Sequence, residues 1–425
     1  MLNVEKNISF INRQDLLTFI AISLFYLFET AQMSYYNVLA PSYLGHNIYS
    51  HASIGAISAA YYYGDVVGLF PVGYALDRFP LRTSLIFALI GSIIGAFILF
   101  MSDSFTIQWI SRFICGFFGG TFSFIGGIRI VTAVFKKRFT YGFSIFLSAG
   151  ILGAMLCQYP LLIVVNHFGP KGAMFTMFAI GAMIAVFNYF YLHPSAEPTA
   201  NKISSYKGTI WQMFKDIVLN LYNWYDVSMI VLLETPGTIL GTLWGVILIM
   251  RFFHFNPETS SLIVTIMLLG SMIGLPVLGH IADRSGNKPW IIIAGASACF
   301  ITISFMLAFQ TSQSVWIAGL LFFALGFFCS CQTVAFHWVT SNMKPDLISR
   351  NSAFNSVVFM AANGGLKQFG AFLLSTPPIF IKNAGSSGNL LTLIIISMVI
   401  VVIYTAFRKF IFKNISPQIT FELPS

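Results

Sequence analysis

Ionisable side chains lie deep inside long apolar stretches of this chain, among them Glu29, Asp65, Arg112, Arg129, Glu234 and Lys367. A charge at the centre of a bilayer costs about 2.5–3.5 kcal/mol or more unless paired or wetted, so each is a candidate for function. At about 1.5 Å per helical residue, Glu29 lies near the middle of its stretch. Asp65, Glu234 and Lys367 are also deep, which gives a midplane set of three acids and one base. Two carboxylates converging on a low-dielectric cavity cannot both ionise cheaply, so one of them can carry a proton. Lys367 and Arg112 suit an anionic group or the control of a carboxylate, and Arg129 suits an inner gate or a snorkelling position.

Polar neighbours give these charges a face. Tyr26, Glu29, Met33, Tyr36 and Asn37 recur at spacings of three or four, which predicts one wet stripe on a helix. Glu234, Thr238 and Thr242 are each four apart, Asn363 precedes Lys367 by four, and Tyr61 precedes Asp65 by four. Gln158 adds an amide in another stretch. Rings with hydroxyls beside charges suit a small amphiphilic ligand, whose apolar part meets the rings while the hydroxyls orient its polar ends. Nothing in the set calls for a cofactor or a metal, and the chain reads as a binding and transporting protein rather than an enzyme. The five cysteines all lie in apolar stretches, which indicates neither a disulfide scaffold nor a zinc site.

The elements that hold these residues follow from composition. Of 425 residues, 57% are hydrophobic and 9% charged, against about 25% charged in soluble domains, so these charges cannot cover two or three soluble globules. Twelve continuous apolar segments are expected at 16–38, 52–75, 83–101, 107–132, 141–165, 172–192, 221–249, 259–280, 289–309, 315–340, 352–376 and 389–408. Their continuity excludes a barrel, whose strands alternate with period two. With the N-terminus in the cytoplasm, 17 of the 23 Lys and Arg fall on the cytoplasmic side, which fixes the orientation and places both termini there. The net charge of +9 never gathers into a dense stripe, so nucleic acid is not an expected partner. No cleavable leader is evident at the start, and no phosphate-binding loop suggests ATP-driven pumping.

The two halves repeat. GYALDRFPLR, from Gly73 to Arg82, matches GHIADRSGNK, from Gly279 to Lys288, at an offset of 206. GLFPVG at Gly68 matches GLPVLG at Gly274 at the same offset. FETAQ at Phe28 faces LETPG at Leu233 at offset 205, which pairs Glu29 with Glu234. GFF at Gly116 faces GFF at Gly326 at offset 210. Asp65 has Ser271 as its counterpart, so the duplication itself does not require this acid. The expected division is an N-terminal six-helix bundle over 1–192, a cytoplasmic linker over 193–220, and a C-terminal six-helix bundle over 221–425. Parallel repeats of this kind describe an alternating-access transporter.

On these motifs the chain resembles the major facilitator superfamily over roughly residues 15–410. The family's loop motif, Gly-x-x-x-Asp-Arg-x-Gly-Arg-Lys, is met by Gly73, Asp77, Arg78 and Arg82, with Pro80 and Leu81 departing from it. The second copy keeps Gly279, Asp283, Arg284, Gly286 and Lys288. Arg112 and Gly116 fit the family's Arg-x-x-x-Gly motif, whose arginine the family associates with proton coupling. The resemblance implies an all-α membrane protein with twelve transmembrane helices in two pseudo-symmetric bundles, gated at the two Asp-Arg loops. Glycines at 68, 73, 270, 274 and 279 are expected to let helices approach closely.

The exporter branches carry Gly-Pro in the fifth span; SAGILGAMLCQYP has Gly150 and Gly153 without a following proline, which counts against a drug/proton antiporter. The expected function is proton-coupled import of a small zwitterionic or charged nutrient, such as an amino acid or short peptide. The alternative is a proton-coupled exporter of a drug-like or siderophore-like compound. The expected setting is a bacterial inner membrane, with the lipid bilayer, the proton and the small-molecule substrate as partners and the monomer as the working unit.

Overall fold

The computed structural model describes residues 12–135, 139–193, 219, 221–309, 314–341, 345–379, 381 and 385–413. The expected linker at 193–220 therefore lies outside the described residues except for 193 and 219. Among the described residues all regular structure is helical.

The first half of the chain builds α1 (Arg13–Ser34), α2 (Tyr36–Gly45), α3 (His51–Arg78), α4 (Leu81–Met101) and α5 (Phe105–Cys115). A π-helical turn, Gly116–Gly120, joins α5 to α6 (Thr121–Phe135). Then come α7 (Phe139–Leu156) and α8 (Tyr159–Tyr191). The second half builds α9 (Leu221–Pro236), a longer π-helical segment, Gly237–Trp244, and α10 (Gly245–Phe253). It continues with α11 (Pro257–Ser285), α12 (Lys288–Ala308), α13 (Val315–Cys329), α14 (Cys331–Ser341), α15 (Pro345–Ser375) and α16 (Ser387–Lys413).

Capping side chains set where helices start. Ser50 accepts from the Ser53 amide at 3.1 Å, Asn256 from Thr259 at 2.8 Å and Asn287 from Trp290 at 3.3 Å. The breaks have equally local causes. Gly169 takes φ 69° just ahead of Pro170 and divides α8 into two pieces. Pro236 directly precedes the longer π-helical segment.

Among the described residues ten stretches are long and apolar enough to cross a membrane, against the twelve expected. One of them, Gly142–Tyr191, runs for 50 residues through the break at Gly169, and the 28-residue α3 is not among the ten.

The packing repeats at the offsets read in the sequence. Gly64 and Gly68 of α3 lie against the backbone at Phe113 and Phe117, and Gly270 and Gly274 of α11 lie against Phe323 and Phe327. Gly116 meets the Tyr61 carbonyl, and Gly326 meets the Met267 carbonyl. The α3-to-α11 shift is 206 and the shift of the facing helix is 210. A β-carbon at any of these six glycines would collide with facing backbone, so the small residues permit the crossing. Gly279 departs from the expectation: a β-carbon there would meet nothing within 4 Å.

Hydrogen bonds between the two halves of the chain gather toward one end. Asn37 reaches Leu240 and Gly241, Arg251 meets His51, Asn166 meets Glu258, and Tyr159 meets Thr265. At the opposite end Arg78, Phe79, Pro80, Asp283, Arg284 and Ser285 are exposed.

Candidate functional site

The chemistry-bearing residues collect where α1, α3, α4 and α5 pack around the π-helical turn Gly116–Gly120. Insertions of this type widen one turn and often mark functional positions. Here the turn brings Gly119 against the carboxylate of Glu29 and Gly120 against that of Asp65. Both acids are buried.

Glu29 accepts from Ser92 at 2.6 Å on one oxygen and from Tyr61 at 2.9 Å on the other. Asp65 accepts a short hydrogen bond from the Thr121 hydroxyl. Hydroxyl donors satisfy both groups without an ion pair, so either acid can hold or release a proton while its geometry is kept by neighbours of fixed charge.

Arg112 is fully buried and faces three tyrosine rings. Its guanidinium carbon lies 4.8 Å from the Tyr61 ring centroid, 5.1 Å from Tyr35 and 5.5 Å from Tyr36. One terminal nitrogen reaches Gln32 Oε1 at 3.4 Å, while Nε and Nη2 have no hydrogen-bond partner. Ring faces thus hold a desolvated cation that lacks a carboxylate contact. Tyr61 touches both charges: its hydroxyl donates to Glu29 and its ring faces Arg112.

Lys367, from α15, crosses into the first half. Its Nζ donates to the Met33 carbonyl at 3.1 Å and to Ser58 Oγ at 2.9 Å, and it sits 4.5 Å from the Tyr62 ring centroid. The structure therefore does not join Lys367 to the midplane acids. Trp244 Nε1 donates to the Lys367 carbonyl at 3.0 Å and fixes the helix from behind.

Glu234 differs from its repeat partner. It is half-buried, its carboxylate accepts no hydrogen bond among the described residues, and it lies along its own helix close to Gly237. One turn on, Thr238 donates to Asn363 at 2.8 Å. The structure gives Glu29 and Glu234 separate surroundings rather than a shared site.

The expected wet stripe on the first span is not one shared surface, because its residues meet different partners. Tyr26 stacks on Phe146 at 4.4 Å between centroids, Tyr36 donates to Gln108 at 2.6 Å, and Asn37 bonds Gln158 at 3.2 Å. Sequence reasoning passed over Ser92, Thr121, Ser58, Gln32 and Gly119. Ser92 sits between Gly91 and Gly95, and the Gly119–Gly120 pair faces the acids; small and hydroxyl residues in an apolar span were the available signal.

The loop residues also divide. Arg82 donates to the Tyr189 carbonyl at 2.7 Å and lies 5.6 Å from that ring, which ties α4 to α8 within the first half. Arg129 donates to the Leu76 carbonyl at 2.7 Å. Asp283 and Arg284 are exposed without a partner among the described residues. The side chains of Gly73 and Asp77 lie outside the described residues.

The family description of the Major Facilitator Superfamily matches residues 19–366. Multidrug resistance protein MdtG of Salmonella arizonae is 21% identical over 324 residues, covering 74% of this chain and 77% of that protein. The Salmonella heidelberg protein of the same name is 21% identical over 362 residues, covering 81% and 86%. Among solved structures, the nucleoside transporter NupG superposes with a TM-score of 0.70 at 14% identity, covering 95% of this chain and 100% of NupG. A bacterial homologue of the human lysosomal transporter Spinster, inward-facing and unoccupied, gives 0.69 at 14% identity, covering 96% and 99%.

Proposed function

This chain belongs to the major facilitator superfamily, and from that premise we propose that it is a proton-coupled transporter of small amphiphilic molecules carrying a positive charge. The observation that carries this reading is the contrast among the central charges. Both buried bases are already engaged, Arg112 by three rings and Gln32, Lys367 by Met33, Ser58 and Tyr62. Glu234 is only partly buried and takes no hydrogen bond from the described residues, so a cationic group is what it can receive. Glu29 and Asp65, held by hydroxyls, are the proton carriers in this reading.

The working cycle would be a rocking of the two six-helix bundles, 1–192 and 221–425, about this centre. Basic-residue placement puts both termini in the cytoplasm, so the exposed end at Arg78 and Asp283 is the cytoplasmic one. The paired loops at Gly73, Asp77 and Arg78 and at Gly279, Asp283, Arg284 and Lys288 would then meet when that end closes, as weak latches. The relatives named multidrug resistance proteins favour outward movement, although the fifth span lacks the Gly-Pro pair of the exporter branches.

Import of a zwitterionic nutrient, an amino acid or short peptide, is the second reading. It is favoured by Lys367, a buried ammonium with no carboxylate bonded to it that a substrate carboxylate could recruit.

Proteoliposomes with an imposed pH gradient separate the two. Movement of a lipophilic organic cation such as tetraphenylphosphonium, lost in Glu234→Gln, is expected. Gradient-driven uptake of labelled amino acids or dipeptides without cation movement would replace the first reading with the second. Unchanged proton dependence in Glu29→Gln, Asp65→Asn and their double variant would remove the proton role given to those acids.

A further inference from the structure

Asn37, the second residue of α2, has its whole amide engaged. Its Nδ2 lies 3.2 Å from Gln158 Oε1, 3.1 Å from the Leu240 carbonyl and 3.4 Å from the Gly241 carbonyl. Its Oδ1 accepts from the Val246 amide at 3.1 Å. Gln158 adds its own donation to the Gly241 carbonyl at 3.3 Å. Two amides from separate spans of the first half thus grip one stretch of the second half. That stretch runs from the middle of the π-helical segment Gly237–Trp244, whose widened turns let its carbonyls reach partners outside the helix, to Val246 just past its end. Asn37 and Gln158 are both fully buried, so these bonds form away from competing water.

The gripped segment also carries the site. Thr238, bonded to Asn363, lies within it, and Glu234 is three residues before its start. The grip on Leu240 and Gly241 therefore acts on the piece of backbone that positions Glu234 and Thr238. Asn37 has no donor left for cargo while the grip holds, since its two N–H groups already face three acceptors.

We propose that Asn37 is a positioning residue that holds this end of the pathway closed, by clasping the widened Gly237–Trp244 segment. Opening the end requires the clasp to release, which frees that segment to shift relative to α1. The inference rests on alternating access alone and not on the identity of the cargo or the coupling ion.

The test uses the full chain in lipid nanodiscs with spin labels at Ser104→Cys and Trp316→Cys, both exposed at the clasped end on opposite halves. The five native cysteines are buried and leave the labels specific. Pulsed electron–electron distances should lengthen in Asn37→Ala, with the open-to-closed ratio rising about tenfold. Asn37→Asp should open similarly, because a carboxylate keeps the acceptor for Val246 but has no donor for Leu240 and Gly241. A wild-type distribution in Asn37→Ala, even with a lower melting temperature, would overturn the proposal, as would a closed distribution in Asn37→Asp. If Asn37→Ala does not fold, Gln158→Glu removes one of the gripping donors and should shift the distribution the same way, and no shift there overturns it equally.

Discussion

Glu29 and Glu234 occupy the same place in the duplicated sequence, yet one is fully enclosed and the other only partly buried. Glu29 is held by Ser92, Tyr61 and the close approach of Gly119. At the repeat offsets those positions become Ala298, Met267 and Cys329. The second copy has therefore lost both hydroxyl donors and gained bulk, and its acid turns back along its own helix toward Gly237. Duplication conserves where a span crosses its neighbour, while a handful of side chains decides what the crossing can hold. The two halves share a scaffold and divide the chemistry.

The largest effects are expected where the halves are alike. Gly116→Ala would drive a methyl into the Tyr61 carbonyl, and Gly326→Ala into the Met267 carbonyl. Each should cost about 1–3 kcal/mol or more and cut the yield of monodisperse protein sharply. Gly279→Ala, which meets nothing within 4 Å, should behave like wild type in the same size-exclusion assay. A harmless Gly326→Ala beside a crippled Gly116→Ala would break the idea of a shared scaffold.

The next effect separates the halves. Glu29→Ala leaves the Ser92 and Tyr61 hydroxyls buried without their acceptor, at about 1–3 kcal/mol. Glu234→Ala removes a half-buried group that takes no hydrogen bond from the described residues, and should lie within about 0.5 kcal/mol of wild type. Thermal unfolding in detergent, compared between the two variants, reads the difference; equal losses would show that Glu234 is held as firmly as Glu29.

A smaller contrast lies in the two loops. Gly286 ends α11 at φ 65°, the left-handed cap that favours glycine. In the first copy Phe79 is extended at φ −108° and Pro80 starts the next helix, so the chain turns without a left-handed residue. Gly286→Ala should therefore cost about 1 kcal/mol and Pro80→Ala less, measured by the same melting experiment.

Much of the scaffold was legible before the structure. Continuous apolar runs marked a helical membrane protein, with ten membrane-length spans among the described residues, and the glycine contacts fall at the offsets of 206 and 210 that the motifs already showed. The buried charges were also visible, because an ionisable residue in an apolar run stands out. Their partners were not. Ser92, Thr121 and Ser58 are ordinary small residues until a fold places them beside Glu29, Asp65 and Lys367. The two π-helical insertions also left no trace in hydropathy, since one extra residue in a turn changes direction without changing composition. That is why Asn37 read as a member of a polar stripe while three of its four partners, Leu240, Gly241 and Val246, lie more than two hundred residues away.

The smallest effect concerns the rim where the halves touch. Arg251 Nη2 lies 3.0 Å from His51 Nε2, with the Trp244 ring 6.1 Å from the imidazole and Ser386 3.4 Å from the other arginine nitrogen. His51 begins α3 at the helix end, and burial, followed by the Arg251 charge, holds its imidazole below the ordinary histidine value. The neutral ring accepts from Arg251, whereas the protonated ring would face it as a like charge. A lowered value in the closed arrangement means that closure binds fewer protons, so its stability is present above the ordinary histidine range, about 6.5, and is lost as pH falls through it. The spin-labelled pair at Ser104 and Trp316 should thus show a modest gain in the open population, about two- to fivefold, between pH 8 and pH 5.5. His51→Gln should flatten that dependence, since its amide oxygen can still accept from Arg251 and does not titrate. A pH response that persists in His51→Gln would move the sensor away from the rim and back to the enclosed acids of the first half.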